Sequence, residues 1–103
     1  MAEDIDEFEP VVELEINGTL DLHPFSPRDV KYLVPDYLAA CLEKNITEVR
    51  IIHGKGTGVL RRTVHALLAK HPDVSSFRLA TRDHGNWGAT VAVLRPKGDG
   101  RNR

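Results

Sequence analysis

Leu20-Asp21-Leu22-His23 sets an aspartate and a histidine two residues apart, and His53-Gly54-Lys55-Gly56-Thr57-Gly58 sets a second histidine at the head of a glycine-rich run. In a strand alternate residues share a face, so Asp21 and His23 project together while Leu20 and Leu22 turn into the core. His53 directly follows the run EVRII. If the two strands are parallel, both histidines stand at the carboxyl edge of the sheet, where open α/β sheets bind ligands. Histidine exchanges protons near neutral pH, and a nearby carboxylate can orient it, stabilise its charge or help hold a divalent ion. Glycines let backbone N–H groups approach an anion, and a following helix N-terminus adds partial positive charge. Lys55 adds a full charge, and Arg61, Arg62 and His65 follow on that helix. The set suits proton transfer at a bound phosphate.

The glycine run is not a nucleotide P-loop: Val49 stands where that motif needs its first glycine, and Gly56 follows Lys55 in place of Ser or Thr. Val59 likewise breaks the dinucleotide fingerprint. Taken alone, such a run can also serve turn geometry only. A second polar stretch, Arg82-Asp83-His84-Gly85-Asn86-Trp87-Gly88, reaches the same edge if the third strand runs parallel to the first two. Trp87 suits either stacking on a base or closing over the core. Asp21 is the clear carboxylate at this edge and Asp83 a candidate second, too few for a two-metal site. The chemistry is therefore expected to be His-based, with at most one divalent cation (Mg²⁺ or Mn²⁺) and no defined set of metal ligands.

These residues need elements to hold them. The first ten residues are acidic, apolar-poor and end in Pro10, which predicts a flexible tail. VVELEI alternates apolar and charged residues ahead of Asn17-Gly18, a hairpin signal. Residues 11–16 are expected either to pair with 19–23 or to lead into it. Ser26-Pro27-Arg28-Asp29 combines a capping serine, a proline for the first helical position and an acid in the first turn. Val30, Leu33, Val34, Tyr37, Leu38, Cys41 and Leu42 then keep one apolar face. That phase continues across Pro35, so the spacing predicts one helix of about 17 residues, kinked near residues 31–34. Cys41 is expected to be a buried, inert thiol. Residues 48–52 read as a strand, 59–71 as a second helix, 75–81 as a strand, and ATVAVL at 89–94 as a strand buried on both faces. His65 and His71 are expected at the surface of the second helix; His84 is left open.

A strand–helix–strand unit crosses over right-handedly and makes parallel neighbours, whereas the last two strands, joined by about six residues, should be antiparallel. The fold class is α/β: a two-layer sandwich of βαβαββ order, a mixed sheet of about four strands packed with two helices. The domain is expected over 11–96, between an acidic tail at 1–10 and a flexible basic tail at 97–103.

At 103 residues the chain predicts one domain, burying roughly two-thirds of its unfolded surface and leaving little room for a deep small-molecule pocket. No apolar run approaches the ~18 residues of a membrane span. The start MAEDIDEFEP is acidic where a signal peptide is basic and then apolar. One cysteine excludes a disulfide framework and a Cys-rich zinc site. The expected location is the cytosol, and the default state a monomer with no membrane partner. The formal net charge of −1 hides an asymmetry: residues 1–21 hold eight acidic residues and no Lys or Arg, whereas 22–103 hold all 14 Lys and Arg against seven acids. A basic body suggests an anionic partner, nucleic acid first among them.

Leu20-Asp21-Leu22-His23, then His53-Gly54-Lys55-Gly56-Thr57-Gly58 with Leu60-Arg61, then Gly88-Ala89-Thr90-Val91 together resemble the Smr (small MutS-related) domain family in order and spacing, over residues 20–94. The chain resembles the stand-alone form. The resemblance implies a βαβαββ sandwich similar to the C-terminal domain of bacterial translation initiation factor three. It also implies nucleic-acid binding and, in several members, nicking of DNA or cleavage of RNA. The implied active site is the D-x-H element and the HGxGxG loop, here Asp21, His23, His53, Gly54, Lys55, Gly56 and Gly58. The family's first motif usually runs LDLHG; Pro24 stands here in place of the glycine, offers no N–H and cannot take positive φ.

Two functions fit. In an endonuclease, His23 or His53 activates water or a ribose 2′-OH, while Lys55 and the loop amides stabilise charge on the phosphate. In a non-catalytic adaptor for DNA or structured RNA the same surface only binds. The phosphate contacts would then be the loop Gly54, Lys55, Gly56, Thr57 and Gly58 with Arg61, Arg62 and Arg82, and Trp87 would stack on a base.

Overall fold

The first strand begins where glycine lets it. Gly18 holds φ at +97°, and a Cβ there would sit 3.4 Å from the Glu48 carbonyl oxygen. From that point the computed structural model, which describes residues 14–80 and 88–96, runs through strand β1 (Thr19–Asp21), a 3₁₀ turn (Pro27–Asp29), helix α1 (Val30–Glu43) and strand β2 (Glu48–Ile52). Helix α2 (Val59–Lys70) and strands β3 (Val74–Leu79) and β4 (Ala89–Leu94) complete it. The tails expected at 1–10 and 97–103 lie outside the described residues, as do residues 11–13.

Asn17-Gly18 does not turn a hairpin, because residues 14–16 form no strand. The Asn17 side chain accepts the Thr19 N–H at 3.0 Å. The buried Tyr37 hydroxyl accepts the N–H groups of Asn17 at 3.3 Å and Gly18 at 3.1 Å, and donates to the Thr19 carbonyl at 2.9 Å. Polar groups a second strand would have paired are satisfied from inside the core, so this run leads into β1.

The first helical segment departs from expectation at its start. Asp29 N–H bonds the Ser26 carbonyl at 2.9 Å, a 3₁₀ turn, and the Ser26 side chain makes no cap. The α-helix proper has 14 residues and continues across Pro35. It ends in a Schellman arrangement: Asn45 holds φ at 62°, and Ile46 N–H reaches back to the Cys41 carbonyl at 2.9 Å. Its buried residues are Val30, Val34, Tyr37, Leu38, Cys41 and Leu42, the face the periodicity predicts. Burial pushes the Cys41 thiol above its ordinary range, so it stays protonated.

The four strands form one sheet in the order β1-β2-β4-β3. β1 pairs parallel with β2, and β4 pairs antiparallel with both β2 and β3. β1, β2 and β3 therefore point the same way, and their carboxyl ends share an edge with the start of β4. The register slips between Val74 and Ser76, and β3 spans Val74–Leu79 where the sequence suggests residues 75–81. Leu20, Leu22, Val49, Ile51, Ala92 and Leu94 turn one face of the sheet onto α1 and onto Val64 and Leu68 of α2. Ala80, Ala89 and Val91, with Ile52, form a second small cluster. The architecture is the expected two-layer α/β sandwich. Among the described residues no helix is long and apolar enough to cross a membrane.

Tyr37→Phe should leave the Gly18 N–H and the Thr19 carbonyl without partners. A loss of roughly 1–3 kcal/mol is expected, read as a lower denaturation midpoint with an unchanged denaturant slope. An unchanged midpoint would show that this hydroxyl does not hold the entry to β1.

Candidate functional site

Asp21 and His23 stand at the end of β1, and both are exposed. Asp21 pairs in register with Ile52, and Leu22 N–H bonds the Ile52 carbonyl at 3.0 Å. β1 and β2 thus leave the sheet side by side, one towards His23 and the other towards His53-Gly54. Asp21 acts on His23 through the backbone: its Oδ1 accepts the His23 N–H at 2.9 Å, an Asx turn.

The glycine loop is clamped to the start of β4. The Gly88 carbonyl accepts the N–H groups of His53 and Gly54, both at 2.8 Å. A Cβ at Gly88 would lie 3.4 Å from Gly54 Cα, so the close approach favours glycine there. Lys55, Gly56 and Thr57 are exposed, and Thr57 Oγ1 accepts the Val59 N–H at 3.4 Å. Gly58, the N-cap of α2, holds φ at +92°, with Arg61 Nη2 and Arg62 Nη1 at 3.2 and 3.3 Å from where its Cβ would be. Both guanidinium groups therefore fold over the helix N-terminus, whose first turn carries no acidic residue. The loop, with Pro27 and Thr63, lines a groove of about 260 Å³. A second groove of about 310 Å³, lined by Thr19, Arg50, Arg78 and Val91 among others, holds none of the catalytic or phosphate-binding residues expected from the sequence.

His53 is buried, 8% exposed, with both ring nitrogens engaged. Nδ1 lies 2.9 Å from the Gly54 carbonyl and Nε2 lies 2.8 Å from Thr90 Oγ1. His65 Nε2 lies 2.7 Å from the same hydroxyl. The donors follow from the acceptors. A carbonyl only accepts, so His53 Nδ1–H donates to it. A neutral ring then has a bare Nε2, to which the Thr90 O–H donates, and His65 Nε2–H donates to Thr90 Oγ1. Burial, reinforced by the Arg61 charge and opposed by the Gly54 bond, holds His53 below its ordinary pKa. His65 is lowered by burial first, then by His53 and Arg61. The chain of bonds joins α2, β4, the end of β2 and the glycine loop.

The expectation that His65 lies at the surface is thus corrected: it is half-buried, with the Phe77 ring 5.0 Å away. His71, also half-buried, accepts the Asp73 N–H at 3.1 Å. Thr90, fully buried, was given no role from the sequence. Its signal was there: a lone hydroxyl in the apolar run ATVAVL needs a partner. Arg82 and Trp87, with Asp83 and His84, lie outside the described residues. Among the described residues no group of three or more His, Cys, Asp or Glu is placed to hold a metal ion.

The Smr domain profile matches residues 20–95. Endonuclease MutS2 of Halothermothrix orenii is 38% identical over 80 residues, 78% of this chain and 10% of that protein. Endonuclease MutS2 of Clostridium novyi is 39% identical over 77 residues, 75% of this chain and 10% of that protein. The chain thus spans about a tenth of the length of these curated relatives. The crystal structure of the Smr domain of Thermus thermophilus MutS2 matches with a TM-score of 0.73 and 31% identity, over 78% of this chain and 100% of that one. YdaL, a stand-alone small MutS-related protein from Escherichia coli, matches with a TM-score of 0.71 and 27% identity, over 76% and 64%.

Thr90→Val keeps the shape but strips both imidazoles of their shared partner. It should cost roughly 1–3 kcal/mol, with Thr90→Ser recovering most of it. Nitrogen NMR should find His53 protonated at Nδ1 alone at neutral pH; an Nε2–H signal would overturn the bond directions. Both rings titrate below the ordinary value of 6.5, so the stability they contribute as neutral groups is present above that pH. It should be lost as pH falls from 6.5 towards their folded values, which a pH series of denaturation midpoints would follow.

Proposed function

The chain belongs to the Smr domain family, and on that premise we propose that it binds nucleic acid and cuts its phosphodiester backbone at the carboxyl edge of the sheet. One observation carries the reading. The N-terminus of α2 already bears partial positive charge, yet it carries no acid in its first turn and gathers Arg61 and Arg62 over Gly58. Positive charge there is unfavourable unless an anion completes it. A backbone phosphate is such an anion, and Lys55 and the loop amides stand beside it. The curated relatives are endonucleases by name, which supports cleavage as the chemistry.

In this reading the phosphate rests on the loop of residues 54–58. His23, the one exposed histidine among the described residues, takes the proton from the attacking water or ribose 2′-OH. Asp21 orients it through the backbone bond. Lys55, Arg61 and Arg62 stabilise the charge that builds on the phosphate oxygens. A single Mg²⁺ or Mn²⁺ near Asp21 would supply an activated water. His53, with both nitrogens committed to protein partners, acts as a positioning residue for Gly54 and not as the base. That commitment also favours the second reading, a non-catalytic DNA- or RNA-binding adaptor, because among the described residues it leaves His23 as the exposed imidazole where acid and base are both wanted.

Supercoiled plasmid incubated with EDTA, Mg²⁺ or Mn²⁺ separates the two readings. Wild type should nick it, and His23→Ala should slow nicking about 100-fold or more with little loss of affinity. The EDTA lane reads the need for a metal. Equal nicking by both proteins, or none on plasmid or structured RNA, would leave the adaptor. In either case Arg61→Glu with Arg62→Glu should weaken binding and flatten its salt dependence.

A further inference from the structure

Building on the nucleic-acid reading above, we propose that Tyr32 forms a nucleobase subsite beside the glycine loop, making the protein select single-stranded over duplex nucleic acid. Tyr32 and Val59 are the exposed large hydrophobic side chains among the described residues, 64% and 57% exposed. They sit in the first turns of the two helices, α1 and α2. The groove on the glycine loop includes Val59, Pro27 and Thr63 in its wall. A third groove, of about 300 Å³, is lined by Tyr32, Arg28, Asp29 and Lys31 together with the same Pro27 and Thr63. The two grooves share a wall, so a strand whose phosphate rests on the loop has a trough for its neighbouring nucleotide.

The chemistry of that trough fits a base and its phosphate. An exposed phenol ring leaves apolar area in water that a stacked base would cover. Stacking of this kind tolerates any base, because each has a π face. Lys31 Nζ lies 5.3 Å from the ring centroid, and Arg28 lines the same groove. Two cations against Asp29 give the trough a positive balance suited to a polyanion. In a duplex the base faces are stacked and cannot reach such a ring, so the ring rewards an unpaired strand.

The test uses a short single strand carrying 2-aminopurine, its duplex, wild type, Tyr32→Ala and Tyr32→Phe. Wild type should quench 2-aminopurine at one position and bind the single strand more tightly than the duplex. Tyr32→Ala should lose the quench and weaken single-strand binding about tenfold, with the salt slope and duplex affinity nearly unchanged. Tyr32→Phe should keep both. Tyr32 is exposed, so the thermal midpoint of each variant should match wild type and show that folding is intact. Unchanged affinity and quench in Tyr32→Ala would remove the subsite. If Arg61→Glu with Arg62→Glu still abolished binding, the nucleic-acid reading would stand without it. Binding of neither oligonucleotide by wild type would remove both.

Discussion

The hydroxyl of Thr90 is shared by two imidazoles that lie on different elements, and the site depends on that sharing. β4 is an interior strand, so its inward residues meet α2 directly, and one of them is a threonine in place of an aliphatic side chain. Its single proton goes to His53, and its lone pair receives the proton of His65. Removing water from this junction favours neutral rings, and neutrality in turn fixes the direction of each bond. The chain ends on the Gly54 carbonyl, so helix, sheet and loop cannot shift independently. A purely apolar junction would pack as well but would leave the loop carbonyl to find its own partner.

What this arrangement leaves outside is as consequential as what it holds. The Gly88 carbonyl consumes the His53 and Gly54 N–H groups, which pins the loop root and leaves the stretch before α2 to face the groove. No side chain replaces Gly58 at the helix cap, and the two arginines occupy the space above it. The fold therefore spends its internal hydrogen bonds on the sheet side of the loop and presents positive charge on the other. That separation lets a neutral histidine pair, buried at His53 and half-buried at His65, and a cationic cluster coexist within a few residues.

Fold and site were legible to different depths. Helix faces follow from periodicity, the burial of ATVAVL from its unbroken apolar run, and the parallel pairing of the first strands from the helix that connects them. That β1 and β2 end at one edge follows as well, because a parallel pair must bring both carboxyl ends together. Periodicity could not place His65: its position on α2 reads as surface until Phe77 and Thr90, from two other strands, are brought against it. Of the two courses open at Asn17-Gly18, pairing or leading into β1, periodicity could not choose for the same reason, since the partner of that backbone is Tyr37, 19 residues beyond Gly18, and not a neighbouring strand. His53 was correctly put at the edge, but only the fold shows that its ring turns inward.

Pro24 bears on how His23 is presented. Phe25 N–H bonds the Leu22 carbonyl at 3.0 Å, so His23 and Pro24 are the central residues of a turn. A glycine at the second of these positions would permit the positive φ of a type II turn. Proline holds φ near −65° and forbids it. The His23 backbone is then fixed from both sides, by the Asp21 carboxylate before it and by the proline ring after it. The cost is an amide: nothing at residue 24 can donate to a phosphate. In the proposed reading the grip on an anion comes from the loop of residues 54–58 and its arginines, while the end of β1 contributes a side chain mounted on a fixed backbone. A nuclease built this way would separate holding from proton transfer more completely than one with a glycine after the histidine.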